Sequence, residues 1–177
     1  MRAAEDSPIG TRLGLRVAVR SDVPAIVELV NLAFEHECWL IPGPRLHPAE
    51  AYREIIDPSL VTLVATLRDA VVGTVRVQFD DECGRPRANP ELGLLAVHPR
   101  AQGRGIGTML VRAAERLARL GGCAAIELHC GRELGLEAFY RSLGFEWVAE
   151  HFGSKFGSHR PFTLVTLQRR LGLARPR

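Results

Sequence analysis

The sequence predicts a mixed α/β (α+β) fold with a central sheet that is mostly antiparallel and contains one parallel strand pair. Short apolar runs, typical of strands, alternate along the chain with amphipathic runs of helical period. In the second half a strand, a helix and another strand follow one another over residues 91–129, an order that favours a parallel pair. The 46% hydrophobic and 24% charged shares are those of a globular protein, and 177 residues suffice for one domain.

The first half of the chain contains three predicted strands and two predicted helices. Residues 13–19 alternate enough for a first strand. Ser21 and Asp22 can cap a helix that has Pro24 in its first turn and continues through Phe34, before a Pro-Gly-Pro triplet interrupts the pattern. Further predicted elements are a helix over residues 47–56 and strands over residues 60–66 and 70–79.

The second half contains the predicted parallel pair. Residues 80–89 are polar and predict a loop, after which the apolar run 91–97 between two prolines predicts a buried strand. Apolar side chains at helical spacing then predict a helix from about Ile106 to a Gly-Gly pair. The remaining predicted elements are a strand over residues 124–129, a helix over 134–143 and a closing strand pair over 147–150 and 162–167.

Between the buried strand and the long helix lies a glycine-rich loop, from Gln102 to Gly107. Glycines let the backbone approach an anion closely, and the start of a helix offers unpaired N–H groups and the positive end of its dipole. Glycine loops often form only a tight turn. Here, however, three glycines fall within five residues, and Arg104 among them can bind phosphate oxygens, which favours a phosphate site.

Two well-known phosphate loops do not fit this stretch. No Gly-Lys-Ser/Thr follows the glycines, so the loop is not a Walker loop. It is also a poor dinucleotide fingerprint, because the third glycine comes one residue early and the unit lies in the middle of the chain. The loop therefore indicates another ligand that carries a pyrophosphate.

Residues 94–118 are similar to the signature strand, pyrophosphate loop and helix of the GNAT superfamily of acyl-CoA-dependent N-acyltransferases. Gln102, Gly105 and Gly107 occupy the family's Q/R-x-x-G-x-G/A positions. A second block, AFYRSLGF over residues 138–145, resembles the family's later helix and the turn that follows it. The resemblance is strong over residues 91–145, weaker over 17–78 and absent at both tails.

This resemblance implies the acyl-CoA N-acyltransferase fold, with helices on both faces of the sheet and strands 91–97 and 124–129 as a splayed parallel pair. It implies acetyl-CoA (coenzyme A) as co-substrate, and no metal. Gly93 is the expected bulge residue, since glycine inside a strand often marks one. The expected cofactor contacts are Leu95, Ala96 and Val97 in the strand, Gln102, Gly103, Arg104, Gly105, Ile106, Gly107 and Thr108 in the loop, and Phe139 and Tyr140 in the later helix.

Glu133 departs from the family pattern. The family often has an asparagine at this position, seven residues before the tyrosine of the second block, where it contacts the pantetheine arm. The resemblance therefore does not carry over to pantetheine contacts at Glu133.

Acetyl transfer to an amine requires loss of a proton from the amine, donors for the tetrahedral oxyanion and a proton for the departing thiolate. The resemblance implies that Tyr140 donates that last proton, whereas helix periodicity alone would make it a packed aromatic side chain. Glu91 stands eleven residues before Gln102, an offset at which some family members carry a catalytic glutamate. Glu91 is therefore the candidate base, with an ordinary strand-end carboxylate and an ordered water as the alternatives.

The acceptor is expected to bind between the first pair of helices and the long loop near residue 155. Phe34, Glu37 and Trp39 are the candidate acceptor-binding residues. Glutamates there could attract a cationic amine, and solvated charges around packed aromatic side chains are the plain alternative. Further candidates are Glu35, Arg45, His151, Phe152, His159 and Arg160.

The expected function is transfer of an acetyl group from acetyl-CoA to a primary amine, with a non-catalytic acyl-CoA-binding or sensor domain of the same fold as the alternative. A nucleic-acid binder is a third hypothesis, supported only by arginines after residue 168, while the net charge is only +3. The expected partner is a small-molecule or peptide amine, with a homodimer left open and neither nucleic acid nor membrane expected.

The expected domain organisation is a loose leader over residues 1–12, one N-acetyltransferase domain over 13–168 and a basic tail over 169–177. The four cysteines show no C-x-x-C spacing, which favours reduced thiols over disulfides or metal ligands. No signal-peptide core or membrane-length apolar run is evident, so a cytoplasmic location is expected.

Overall fold

The structure is a computed structural model that describes residues 13–81, 83–153 and 158–172. The predicted leader, residues 154–157 of the late loop and the part of the predicted tail from residue 173 onward lie outside these ranges.

Seven strands and four α-helices form the described part of the chain. The strands are β1 Leu13–Val17, β2 Leu60–Leu67, β3 Ala70–Asp80, β4 Pro86–Val97, β5 Ala125–Gly131, β6 Glu146–Gly153 and β7 Phe162–Arg170. The helices are α1 Val23–Phe34, α2 Pro48–Ile56, α3 Ile106–Leu120 and α4 Glu137–Ser142.

The strands form one sheet in the order β1-β2-β3-β4-β5-β7-β6. All neighbouring strands are antiparallel except β4 and β5, which run parallel. The predicted mixed sheet with one parallel pair is therefore confirmed. α3 forms the connection between the two parallel strands, as the order of elements predicted.

Helices cover both faces of the sheet. α3 and α4 pack against the larger core cluster on one face, called here the α3 face. α1 and α2 pack against a second cluster on the opposite face, called the α1 face. Along β5 the side chains of Ile126, Leu128 and Cys130 belong to the α3-face core, so Glu127 and His129 lie on the α1 face.

Asp22 is the N-cap residue of α1, but its side chain makes no hydrogen bond to the first turn of that helix, and Ser21 lies in the short 3₁₀ turn before it. The predicted side-chain cap of α1 is therefore wrong. The Asp22 carboxylate instead accepts the N–H of Val19 at 2.8 Å and pairs with Arg16 of β1 at 2.6 Å. The hydrogen bond from Arg16 is the main cause that lowers the pKa of Asp22. β1 ends at Val17 rather than at residue 19.

β4 begins at Pro86, inside the stretch that the sequence predicted to be a loop. The prediction of a loop over residues 80–89 failed because it rested on polar side chains, with Gly84 and Pro86 among them, and these do not exclude a strand at the edge of the paired region. β5 joins β4 only from Glu91 onward, so residues 86–90 have a strand neighbour on one side alone. A proline without an N–H is tolerated on such a one-sided stretch.

β7 extends to Arg170 and so includes two arginines that the sequence analysis assigned to the tail. Arg169 lies 3.3 Å from the carboxylate of Glu115, a residue of α3 that is 1% exposed. Arg112 and Arg119 pair with the same carboxylate and also donate to the backbone carbonyls that follow α4 and β7. This cluster fixes α3 to the ends of α4 and β7, so Arg169 has a structural role.

Candidate active site

The parallel strands β4 and β5 are paired over only a short length. Glu91 pairs with Glu127 and Leu92 with Leu128, and the two strands separate beyond these residues. After the separation β4 is paired only with β3, and β5 only with β7. The result is a V-shaped gap between the carboxyl ends of the two strands, as the resemblance implied.

A bulge in β4 lies at the opening of this gap. Arg76 of β3 is opposite Gly93, and Thr74 is opposite Ala96, so two residues of β4 face one residue of β3. The positive φ of 45° falls on Leu94 and not on Gly93, which the sequence favoured. Gly93 is needed for a different reason, because the guanidinium of Arg76 would lie 3.3 Å from a Cβ there.

The edge of β4 that faces the gap includes Leu95, Ala96 and Val97. Since β5 has already diverged, the backbone groups on this edge have no strand partner across the gap. The carbonyl of Val97 instead accepts a hydrogen bond from the side-chain amide of Gln102 at 3.1 Å. Gln102 therefore braces the glycine loop against the end of β4.

The glycine loop reaches α3 through two residues with positive φ. Gly103 has a φ of 72° and Gly105, the N-cap of α3, a φ of 77°. Apart from its chain neighbours, a Cβ at either position would have no protein atom within 4 Å, so the space beside both glycines is open. The first N–H groups of a helix, here those of Ile106, Gly107 and Thr108, have no intrahelical acceptor and can bind an anion.

Arg104 is exposed within this loop, and its guanidinium can add a charge-assisted bond to the same anion. The loop as a whole fits a pyrophosphate.

α4 places Phe139 and Tyr140 beside the gap on the α3 face. A Cβ at Gly107 would lie 3.5 Å from Phe139 Cζ, so Phe139 packs against the start of α3. Tyr140 is 7% exposed and makes edge contacts with Phe139 and Phe145, at centroid distances of 5.1 and 5.9 Å. The packed position that helix periodicity predicted for Tyr140 is thus compatible with a place at the gap.

The electrostatics of Tyr140 link it to groups on both faces. Burial raises the pKa of its hydroxyl, and the charges of Cys130 and Glu37 raise it further. Burial also raises the pKa of the Cys130 thiol to about 11, with additional effects from Glu137 and Glu37. Tyr140 and Cys130 lie on the α3 face, whereas Glu37 follows α1 on the other, so these charges interact where the sheet is open.

Glu37 is 2% exposed, which is rare for a carboxylate outside an ion pair. It pairs with Arg45 at 2.6 Å, and the Arg45 guanidinium lies over the ring of Phe34 at 4.9 Å. Burial raises the pKa of Glu37, while the nearby charges of Arg45 and His36 lower it.

The segment after Glu37 crosses from α1 to β7. Leu40 and Ile41 pack against Phe162 and Leu164. Glu37 therefore stands where the chain passes over the carboxyl end of β5.

Trp39 and Arg160 lie at the outer rim of this region. Trp39 is 46% exposed, and the Arg160 guanidinium lies 5.4 Å from the centre of its ring. The N–H of His159 donates to the carbonyl of Leu40 at 3.1 Å. The segment after α1 and the loop before β7 thus meet, which brings together the two parts of the chain that were predicted to form the acceptor site.

Glu91 lies on the α1 face of β4, in the short segment where β4 and β5 are still paired. Its Oε2 is 3.0 Å from the Arg87 guanidinium and 3.8 Å from His129 Nε2. His129 Nδ1 lies 3.0 Å from the hydroxyl of Thr166 on β7. Neither His129 nor Thr166 was among the site residues predicted from the sequence. The available signal was that His129 is a polar residue at the end of strand 124–129, which the resemblance paired with a diverging partner.

Glu133, the departure from the family pattern, has a contact of its own. Its carboxylate accepts the backbone N–H of Thr163 at 3.0 and 3.2 Å. The residue therefore ties the turn after β5 to the start of β7.

The described residues contain no group of three or more potential metal ligands. Over the same residues, no helix is long and apolar enough to cross a membrane.

Comparisons with known proteins give a consistent result. The model of the acetyltransferase (GNAT) family matches residues 23–145. The ribosomal-protein-alanine N-acetyltransferase from Brucella melitensis is 25% identical, with a TM-score of 0.73 over 89% of this chain and 99% of that chain. The structure of yncA from Salmonella typhimurium with its cofactor acetyl-CoA is 23% identical, with a TM-score of 0.74 over 94% and 98%. No curated protein sequence matches the chain.

Proposed function

Because the chain belongs to the acetyltransferase (GNAT) family, we propose that it transfers an acetyl group from acetyl-CoA to a primary amine by direct attack of the amine. The observation that carries the proposal is the gap between β4 and β5, which has Tyr140 on the α3 face and Glu37 and Glu91 on the α1 face. A proton donor and proton acceptors on opposite sides of one opening suit a transfer between two substrates that enter from opposite sides.

The α3 face is assigned to the donor. Acetyl-CoA supplies the acetyl thioester, and its pyrophosphate is assigned to the loop from Gln102 to Thr108. The unpaired edge of β4 at Leu95, Ala96 and Val97 is assigned to the pantetheine arm, and one of its N–H groups to the oxyanion. Phe139 packs against the start of α3 and shields the place where loop and strand meet.

Tyr140 and Glu91 are assigned the proton transfers. Since the pKa of Tyr140 is raised, its side chain remains a hydroxyl at neutral pH and can donate to the departing sulfur. Glu91 lies on the face from which the amine would approach and is assigned to the loss of the amine's proton, either as the base itself or as the carboxylate that holds the amine beside a base. Both roles are parts of the proposal.

The α1 face is assigned to the acceptor, with Phe34, Glu37 and Trp39 around it. The Glu37 carboxylate supports a cationic amine on this face, with part of its negative charge already offset by Arg45 at 2.6 Å. The relative from Brucella melitensis acts on the alanine of a ribosomal protein. A peptide with an N-terminal alanine is therefore one acceptor to test, beside small amines.

Thiol release from acetyl-CoA tests the function directly. The amines to compare are a peptide with an N-terminal alanine, a peptide with an internal lysine, spermidine and tyramine, with the acetylated product identified by mass spectrometry. We expect calorimetry to show binding of acetyl-CoA and at least one amine to support thiol release. Binding without release for every amine would favour the non-catalytic acyl-CoA-binding domain. Absence of binding would overturn both alternatives.

A further inference from the structure

We propose that the base of this reaction is His129, whose Nε2 takes the proton of the amine while Thr166 orients the imidazole ring and Glu91 holds the amine. The inference rests on the proposed function and names a proton acceptor that the sequence motifs do not contain. It follows from three observations on the α1 face of β4, β5 and β7: two contacts of His129 and its position at the gap.

The first contact fixes the ring. His129 and Thr166 are directly opposite each other in the antiparallel pair of β5 and β7. Their side chains therefore lie on the same face, and Nδ1 is 3.0 Å from the threonine hydroxyl. When Nδ1–H donates to Thr166, Nε2 keeps its lone pair and faces away from β7, toward β4.

The position of His129 in β5 places Nε2 at the gap. Leu92–Leu128 is the last pair between β4 and β5, so His129 is the first residue of β5 beyond the pairing. Its side chain is 28% exposed, which leaves the ring accessible without placing it in bulk solvent. The imidazole thus lies beside the opening through which Tyr140 and the amine would approach the same thioester.

The second contact leaves a binding position for the ammonium group between His129 Nε2 and Glu91 Oε2, called here the seat. His129 Nε2 and Glu91 Oε2 are 3.8 Å apart, too far for a direct hydrogen bond. A single nitrogen can stand at hydrogen-bond distance from both atoms and donate one proton to each. Glu91 Oε2 also accepts from Arg87 at 3.0 Å, whereas the described residues provide no hydrogen-bond partner for His129 Nε2, so the imidazole is the group assigned to take the proton.

The charged groups around the seat are on four elements. Arg87 and Glu91 belong to β4, and Glu127 of β5 lies 4.0 Å from Arg87. Glu37 follows α1, and Cys130 and Tyr140 lie on the opposite face of the sheet. Glu37 is paired with Arg45, while Glu91 and Glu127 share the single guanidinium of Arg87. The charge that remains beside His129 is therefore negative, which favours a cation at the seat.

The ammonium group gives one proton to His129 Nε2, and the imidazolium passes it to solvent. The free amine forms the new C–N bond, and the C–S bond then breaks as Tyr140 gives its proton to sulfur. The surplus proton on the new amide nitrogen restores the Tyr140 hydroxyl. The sum is an acetylated amine, a free thiol and one released proton.

The tautomer of His129 can be measured without any substrate. In ¹⁵N NMR of the full chain at pH 8, the proposal requires a neutral imidazole protonated on Nδ1 and bare on Nε2. His129→Gln identifies the resonance by its loss. In Thr166→Val the Nδ1 tautomer should lose its preference, and Thr166→Ser should restore it. A wild-type ring protonated on Nε2 would overturn the proposal.

Kinetics with the best amine of the thiol-release test give the second measurement. We expect His129→Gln to lower kcat about 100-fold and to remove the acidic limb of the kcat–pH profile. Thr166→Val should lower kcat about 10-fold, and Thr166→Ser should recover most of it. Glu91→Gln should mainly raise KM for the amine. His47→Gln, at an exposed position before α2, is the matched control and should keep the wild-type profile.

The outcomes separate the inference from the function on which it rests. An active wild-type enzyme whose His129→Gln variant keeps its kcat and its pH profile overturns the inference alone. Loss of the acidic limb in Glu91→Gln but not in His129→Gln would assign the base to Glu91 by itself. A wild-type chain that binds no acetyl-CoA overturns the function, whatever the tautomer of His129.

Discussion

The two faces of the sheet build their halves of the candidate site in different ways. On the α3 face the loop, the start of α3 and α4 come from one stretch of chain between residues 95 and 140, and most of the contacts they offer are backbone N–H groups. On the α1 face the charged groups come from separate segments, with Glu37 after α1, Glu91 in β4, His129 in β5 and Thr166 in β7. The first half depends on local conformation and the second on tertiary packing.

This difference predicts what each half is sensitive to. A site made of backbone groups is damaged by changes that alter φ and ψ, and it tolerates many side chains. A site made of side-chain charges is damaged by isosteric loss of a charge, with little change in fold. Changes on the α3 face should therefore alter KM for acetyl-CoA, and changes on the α1 face should alter KM for the amine. Only changes at the gap should affect the reaction of both substrates.

The largest effect is expected at the gap itself. Tyr140→Phe removes the hydroxyl while the ring keeps its contacts with Phe139 and Phe145, so kcat should fall about 100- to 1000-fold with both KM values little changed. Because the pKa of Tyr140 is raised, its ionisation should not limit wild-type kcat below about pH 10. Steady-state thiol release from pH 6 to 10 measures both. Full turnover in the variant at every pH would contradict the proposal that the two substrates react at the gap beside Tyr140.

An intermediate effect is expected in the glycine loop. Gly105→Ala places a Cβ on a backbone with a φ of 77°, at a cost of about 1–2 kcal/mol, and the strained loop should raise KM for acetyl-CoA about 10-fold. Gly122, after the end of α3, has the same φ of 77° and also has open space around a Cβ. Gly122→Ala is thus a control matched for backbone strain.

The two glycine variants should lose similar stability in urea unfolding, while only Gly105→Ala changes KM for acetyl-CoA. If both variants raised that KM equally, the loop would have no special part in binding the donor.

The smallest effect is expected from a charge on the α1 face. Glu37→Gln keeps an oxygen acceptor for Arg45 and removes the negative charge, so KM for the amine should rise about 3- to 10-fold while KM for acetyl-CoA stays the same. Glu28→Gln, at an exposed position of α1, is the control. A rise in KM for acetyl-CoA alone would contradict the assignment of the two faces.

The sequence predicted most of what local conformation determines. The parallel pair, the helix start after Gly105 and the place of Tyr140 follow from period, glycine positions and the family motif. Pro86 was assigned to a loop, because the sequence does not show that residues 86–90 have a neighbouring strand on one side only, where a proline is tolerated. The sequence predicted the bulge at Gly93, whereas the residue with positive φ is Leu94. The absence of a side chain at Gly93 is explained by the Arg76 guanidinium beside it, and no local pattern in the sequence reveals that contact.

The α1 face was predictable only in outline. Glu37, Phe34 and Trp39 were placed at the acceptor end from the order of elements, but the sequence did not indicate that Glu37 is buried with Arg45. His129 was not predicted as a site residue because its position depends on two features of strand pairing. β4 diverges from β5 after Leu92, and the register of β5 and β7 places Thr166 opposite His129. Contacts between distant strands have no periodic trace in the chain.

The opening in the sheet also links the ionisation of a tyrosine on one face to a charge on the other. The negative charge of Glu37 contributes to the raised pKa of the Tyr140 hydroxyl on the other face. A cationic amine beside Glu37 would offset that charge and make Tyr140 a better proton donor. By linkage, the tyrosine gives up its proton most readily when an acceptor is in place, so the sheet itself would couple arrival of the nucleophile to departure of the thiol.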